Sequence, residues 1–173
     1  MPNLKEIRNR ITSVTSTMKI TSAMKMVSAA KLKKAQDAVT AMRPYSEKLG
    51  ELMSSFYDII SSSSVSQLSE SRDIKNVLLI PICSNKGLCG AFNSNVVKKA
   101  ISLKNQSSFS KANFSFLIIG KKANDIISKK ENVISNHSSI FENINYDDTA
   151  AIVDNIIELF INGEYDHAEL IYL

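Results

Sequence analysis

Flat side chains are almost missing from the first third of this chain, where Tyr45 is the only aromatic before Phe56. With no ring for bases to stack on and no loop of a nucleic-acid module, this stretch argues against nucleic acid as a partner. Cysteine is nearly as scarce. Cys83 and Cys89 stand alone, with no histidine nearby, which excludes a disulfide framework and a zinc site and predicts reduced, buried thiols. No apolar run reaches the roughly 18 residues that cross a bilayer, and the opening MPNLKEIRNR lacks the apolar centre of a signal peptide. Those two absences predict a cytoplasmic protein without a transmembrane segment. Carboxylate pairs and metal-ligand clusters are absent as well, so no catalytic, cofactor or metal site is expected and the chain does not look catalytic on its own.

Residues 1–60 contain one long helical pattern, with no glycine before Gly50. Apolar residues recur at alternating spacings of four and three: Ile7, Ile11, Val14 and Met18, then Leu32, Ala35, Val39, Met42, Leu49, Met53, Phe56 and Ile60. This is the spacing of a helix wound against a partner helix. Between the two stretches the same register holds Thr21, Lys25 and Ser28, which cannot form an apolar seam. Ile20, Met24 and Val27 lie on the opposite side, at about 100° per residue. The stripe changes sides, which implies different neighbours on the two faces. Pro44 lacks a backbone donor and crowds the carbonyl of Thr40, so a kink or weak joint is expected there.

Charge is concentrated in the same segment. Residues 1–50 hold ten Lys and Arg against Glu6, Asp37 and Glu47, so this part carries +7 and the remainder −3 within a formal net charge of +4. Such a helix suits an acidic partner, a phosphate backbone or an anionic membrane surface, with a simple solvated polar face as the equal alternative.

A Ser-rich linker, residues 61–74, separates the helix from a region of strands alternating with helices, residues 75–173. Strands are predicted at Val77–Cys83, Phe114–Ile119, Val133–Ile134 and Ala168–Leu173. Helices are predicted at Ala91–Leu103 and Lys121–Lys130, and from a cap at Asp147 or Asp148 to Ile161 with Ile152, Ile156, Leu159 and Phe160 inward. Pro81 is expected to weaken the ladder of the first strand or to place it at an edge or a bulge. The fold class is therefore α/β: a long coiled-coil-type helix followed by an open, parallel, Rossmann-like sheet. A strand finishing on the last residue suggests that this domain is incomplete.

One loop, Ser84-Asn85-Lys86-Gly87-Leu88-Cys89-Gly90, lies where α/β folds bind phosphate. Its spacing is G-x-x-G with no G-K-[ST], which makes a nucleotide site the weaker reading. A structural turn at Gly87, Leu88, Cys89 and Gly90 is the stronger one, the two glycines permitting a tight bend and close packing of helix on sheet. Cys89 has no base beside it in sequence, and His137 and His167 are isolated.

Several of these stretches resemble one family. Ile7-Arg8-Asn9-Arg10-Ile11, Lys19-Ile20-Thr21-Ser22-Ala23-Met24-Lys25-Met26-Val27-Ser28-Ala29-Ala30-Lys31 and Arg43-Pro44-Tyr45 are similar to the first helix of the gamma subunits of F-type ATP synthases. Lys86-Gly87-Leu88-Cys89-Gly90-Ala91-Phe92-Asn93 resembles that family's signature turn, although Asn85 stands where the family often has an acid. The resemblance covers essentially the whole chain.

What it implies is a non-catalytic rotor shaft on an α/β foot, peripheral to the cytoplasmic face of a bacterial inner membrane. The implied partners are alpha and beta subunits around the shaft, with the epsilon subunit and the membrane c-ring at the foot. Ile7, Ile11, Val14 and Met18 would then pair with a C-terminal helix that this sequence does not contain, which suggests a truncated chain. Ile20, Met24, Lys25 and Val27 would form the bearing and coupling contact. The alternative from another class is a basic coiled-coil module for nucleic acid or an anionic membrane, which would self-associate along the seam and release its ligand steeply with salt.

Overall fold

Asn3 starts the first helix by doing two jobs: its carbonyl accepts from the N–H groups of Glu6 and Ile7, and its Oδ1 accepts from Lys5 N–H at 3.2 Å. This satisfies donors that a helix N-terminus otherwise leaves open. The structure is a computed structural model describing residues 3–62, 68, 72–105 and 112–173, with side chains of 57–62 set aside. The chain divides into two units, residues 1–65 and 66–173.

The first unit is α1, Leu4–Ser62, 59 residues without a break. At about 1.5 Å per residue it is roughly 90 Å long. Hydroxyls along it fold back onto their own helix: Thr12 donates to Arg8 O, Thr17 to Ser13 O, Thr40 to Gln36 O and Ser55 to Glu51 O. The helix continues through Pro44. Only one N–H is missing there, and the turns on either side hold the helical path.

The second unit is built on β1 (Asn76–Pro81), β2 (Asn113–Ile118), β3 (Val133–Asn136) and β4 (His167–Ile171). All pairings are parallel and the order is β3-β2-β1-β4. Helices α2 (Phe92–Lys104), α3 (Lys121–Ile127) and α4 (Tyr146–Ile161) are the crossovers. The alternation of the strands sorts the core into two layers. Val77, Leu79, Phe116 and Ile118 meet Val96, Val97 and Ala100 of α2 and Ala123 and Ile127 of α3. Leu78, Ile80 and Leu117 face the other way and meet Ile152 of α4, with Ile156 packed against them. The fold is thus an open α/β sheet covered on both faces, as parallel strands require.

Three local expectations change. β1 is an interior strand between β2 and β4, not an edge. Pro81 is tolerated because it is the last residue of the strand: its carbonyl still accepts from Ile119 N–H at 3.0 Å, and the ladder resumes with Ile82 N–H to Ile171 O and Cys83 N–H to Ile119 O. The cap of α4 is Asn145, whose Oδ1 accepts from Asp148 N–H at 2.8 Å. Asp147 and Asp148 sit in the first turn instead, where negative charge suits the helix dipole. Helix α3 ends at Ile127, before Lys130.

Candidate functional site

Two regions carry the residues that sequence reasoning singled out: the surface of α1 and the turn after β1. They belong to different units.

On α1 the seam residues Ile7, Ile11, Val14 and Met18 are 42–62% exposed, and on the other side Ile20, Met24 and Val27 are 56–60% exposed. Lys25 is exposed beside them. Leu32, Val39, Met42, Leu49, Met53 and Phe56 are open in the same way, whereas the side chain of Ile60 lies outside the described residues. A shallow, open hollow is bounded by Ala35, Gln36, Val39, Thr40 and Arg43. Leaving that much Ile, Val, Leu and Met in water is unfavourable by about 25 cal/mol per Å². Two apolar stripes thus stay open to solvent on one polar helix.

The turn is locked by two asparagines. Asn93, in the first turn of α2, accepts from Ser84 N–H with its Oδ1 at 3.0 Å, and its Nδ2 donates to Ser84 Oγ at 2.9 Å and Cys89 Sγ at 3.1 Å. Asn85 reaches the neighbouring loops: its Oδ1 accepts from Lys121 N–H at 2.9 Å and its Nδ2 donates to Ser138 O at 2.7 Å. An amide does here what an acid could not, because a carboxylate has no hydrogen to give the Ser138 carbonyl. The Ser84 N–H that a phosphate cradle would present is already occupied by Asn93, which further weakens the nucleotide reading.

The glycines divide their roles unexpectedly. Gly90 has φ +60° and Leu88, fully exposed, has φ +62°. Gly87 is not in the left-handed region, and a Cβ on either Gly87 or Gly90 would meet nothing within 4 Å. The close approach is made at Gly120 instead. A Cβ there would strike the Cys83 carbonyl oxygen and lie 2.7 Å from Cys83 Sγ.

The cysteines differ. Cys83 is buried, and its Sγ accepts from Ala123 N–H at 3.0 Å; burial pushes its thiol pKa up. Cys89 is exposed, contrary to the expectation of two buried thiols, because the left-handed Leu88 and Gly90 hold the turn out in solvent. Neither has a histidine as base: His137 Nε2 lies 3.1 Å from Ser135 Oγ, and His167 lies 3.8 Å from Glu169. Among the described residues no cluster of His, Cys, Asp or Glu could hold a metal ion, and no helix is long and apolar enough to cross a membrane.

A sequence model of the family described as ATP synthase matches residues 3–173. The chain is 54% identical over 173 residues to the ATP synthase gamma chain of Flavobacterium johnsoniae, covering 99% of this chain and 59% of that relative. It is 53% identical to that of Flavobacterium psychrophilum, with the same coverage, and 46% identical to that of Christiangramia forsetii, covering 99% of this chain and 60% of the relative. The chain thus spans about three-fifths of the length of the relatives it matches.

Proposed function

The chain belongs to the ATP synthase gamma-chain family, and we propose that it supplies the shaft and foot of a central-stalk rotor in a proton-translocating F-type enzyme. In this reading it performs no chemistry. It couples rotation of a membrane c-ring to ATP synthesis or hydrolysis in a ring of alpha and beta subunits, and its α/β unit contacts the epsilon subunit and the c-ring. The protein would sit as a peripheral subunit on the cytoplasmic face of a bacterial inner membrane.

One observation carries the reading: α1 runs for 59 residues and keeps apolar stripes open on two sides. A helix roughly 90 Å long suits transmission of torque over distance. Ile7, Ile11, Val14 and Met18 are proposed to pair with a second helix of the shaft, and Ile20, Met24, Lys25 and Val27 to touch the surrounding ring. Residues 1–60 would be the shaft, 61–74 a linker, of which 63–67 and 69–71 lie outside the described residues, and 75–173 the foot. Gly87, Leu88, Cys89 and Gly90 serve as a structural turn.

Torque requires that the shaft bind the ring's conformations unequally at each angle, since a contact of equal affinity shifts no equilibrium. A bearing also has to avoid deep ion-pair traps, so removal of the Lys25 charge should be mild. A charge placed into the apolar contact is different. The test is proton pumping per ATP hydrolysed in a complex assembled with Met24→Lys. Impaired coupling is expected, and coupling equal to wild type rejects the placement of Met24 against the ring. Purification of the complex with alpha, beta and epsilon subunits attached to this chain checks membership independently.

A further inference from the structure

The mild net charge of the second part of the chain hides a steep internal division. Residues 75–130 contain ten lysines and one acid, Asp125, whereas residues 131–173 contain nine acids and no Lys or Arg. The fold turns this division in sequence into a division in space. Helices α2 and α3 cover one face of the sheet and α4 the other. On the first face Lys98, Lys121, Lys129 and Lys130 are exposed and, among the described residues, have no acid within ion-pair reach, while Lys122 lies 3.7 Å from Asp125 and Lys104 is bonded to Glu131 at 2.7 Å. On the second face Asp147, Asp148, Asp154 and Glu158 of α4 are all exposed. The α2/α3 face is thus rich in exposed lysine, though Asp125, Glu131 and, by its pairing with Leu79, Glu169 also lie on it, while the exposed charges of α4 are acids.

We propose that the α2/α3 face is a docking surface for the anionic headgroups of a lipid bilayer, with the acidic α4 face turned away from it. Charge complementarity sets the sign and the orientation: the same surface attracts one face and repels the other. The choice of lipid over an acidic protein rests on the kind of base. Every basic residue between 75 and 130 is lysine, a mobile point charge suited to a fluid array of phosphates. Arginine, whose planar fork pairs bidentately with fixed carboxylates, is absent from this face. An apolar side chain, Ile126, 48% exposed, sits on α3 between Lys122 and Lys129. It can enter the interface without demanding a register. The proposal concerns this unit alone and does not depend on the rotor reading.

The test uses the full-length chain and sedimentation with phosphatidylcholine vesicles, with and without phosphatidylglycerol. The variant carries Lys98→Gln, Lys121→Gln, Lys129→Gln and Lys130→Gln, exposed positions whose loss leaves the core intact; an unchanged Tm verifies this. A second variant, Lys31→Gln with Lys33→Gln and Lys34→Gln, measures what α1 adds. Each lysine near an anionic surface strengthens partition about fivefold, so the four-lysine variant should lose roughly a hundredfold or more. Binding of wild type should need phosphatidylglycerol and fade with salt. Wild-type partition in the four-lysine variant overturns the proposal. So does carbodiimide cross-linking of these lysines to carboxylates of a neighbouring subunit in the membrane-bound complex, which would make an acidic protein the occupant. Coupling in the Met24→Lys complex is read separately, so failure of one proposal leaves the other standing.

Discussion

The guanidinium of Arg72 lies 4.7 Å from the centroid of the Phe160 ring and at the same time donates a 2.8 Å hydrogen bond to the carbonyl of that residue. One side chain thus holds both the ring and the last-turn backbone of α4, and it does so from the segment that leads into β1. Arg72→Ala should lower the stability of the α/β unit by about 1–3 kcal/mol, the sum of a cation–π contact and a charged hydrogen bond. Chemical denaturation measures it. Arg72→Lys should recover only part of the loss, because an ammonium lacks the flat face that stacks on the ring.

Gly120 is the glycine that the fold cannot exchange. Its φ is +120°, and an added Cβ would collide with the Cys83 backbone. Gly120→Ala should cost about 2–4 kcal/mol through strain and overpacking. Gly87→Ala, in open space without a positive φ, should change stability by less than about 0.5 kcal/mol. Thermal melts of the two variants side by side decide the matter.

Asp166 gives the α/β unit an acid-labile joint. Its carboxylate accepts from the N–H groups of Asn76 and Lys75, each at 2.9 Å, and these bonds hold its pKa below the ordinary value. The charged form is therefore favoured by folding. Its contribution is fully present above the unfolded carboxylate value of about 3.9 and is lost as pH falls through the lower folded value. Asp166→Asn should reduce stability at neutral pH and flatten the acid limb of stability against pH. An acid limb unchanged from wild type would assign that limb to other groups.

The two thiols should titrate apart with a thiol reagent. Cys89 is exposed and should react in the native protein; Cys83 is buried, with a raised pKa, and should react only on unfolding. A stoichiometry of one in buffer and two in denaturant is expected. Two fast thiols in buffer would contradict the packing of Cys83 under α3.

Much of this architecture was legible in the sequence. The α/β class, the long helix and the order of strands and helices follow from periodicity, which reports burial directly. The family likeness carried by residues 7–45 and 86–93 is borne out by the matches. What escaped were features set by tertiary partners. Pro81 looks like an edge residue until the register shows it to be the last of an interior strand. Asp147 and Asp148 look like caps, but Asn145 precedes them and has an acceptor in the right place. Gly87 draws the eye as part of a motif, whereas the close contact is at Gly120, across the sheet from it in sequence terms. The uneven charge of the α/β unit vanished because ten lysines and ten acids between residues 75 and 173 cancel in the total.

Strand order has a consequence for synthesis. β1 is made well before β4, its partner on one side, and Val77 to Pro81 pair with His167 to Ile171. A nascent chain leaving the ribosome at roughly 5–20 residues per second must therefore carry β1 with one edge open for about 5–20 s. During that interval the run Val-Leu-Leu-Ile is an apolar ribbon with unmet backbone donors on one edge, the kind of edge that invites aggregation. That edge is covered only once residue 171 clears the exit tunnel and β4 can pair with it.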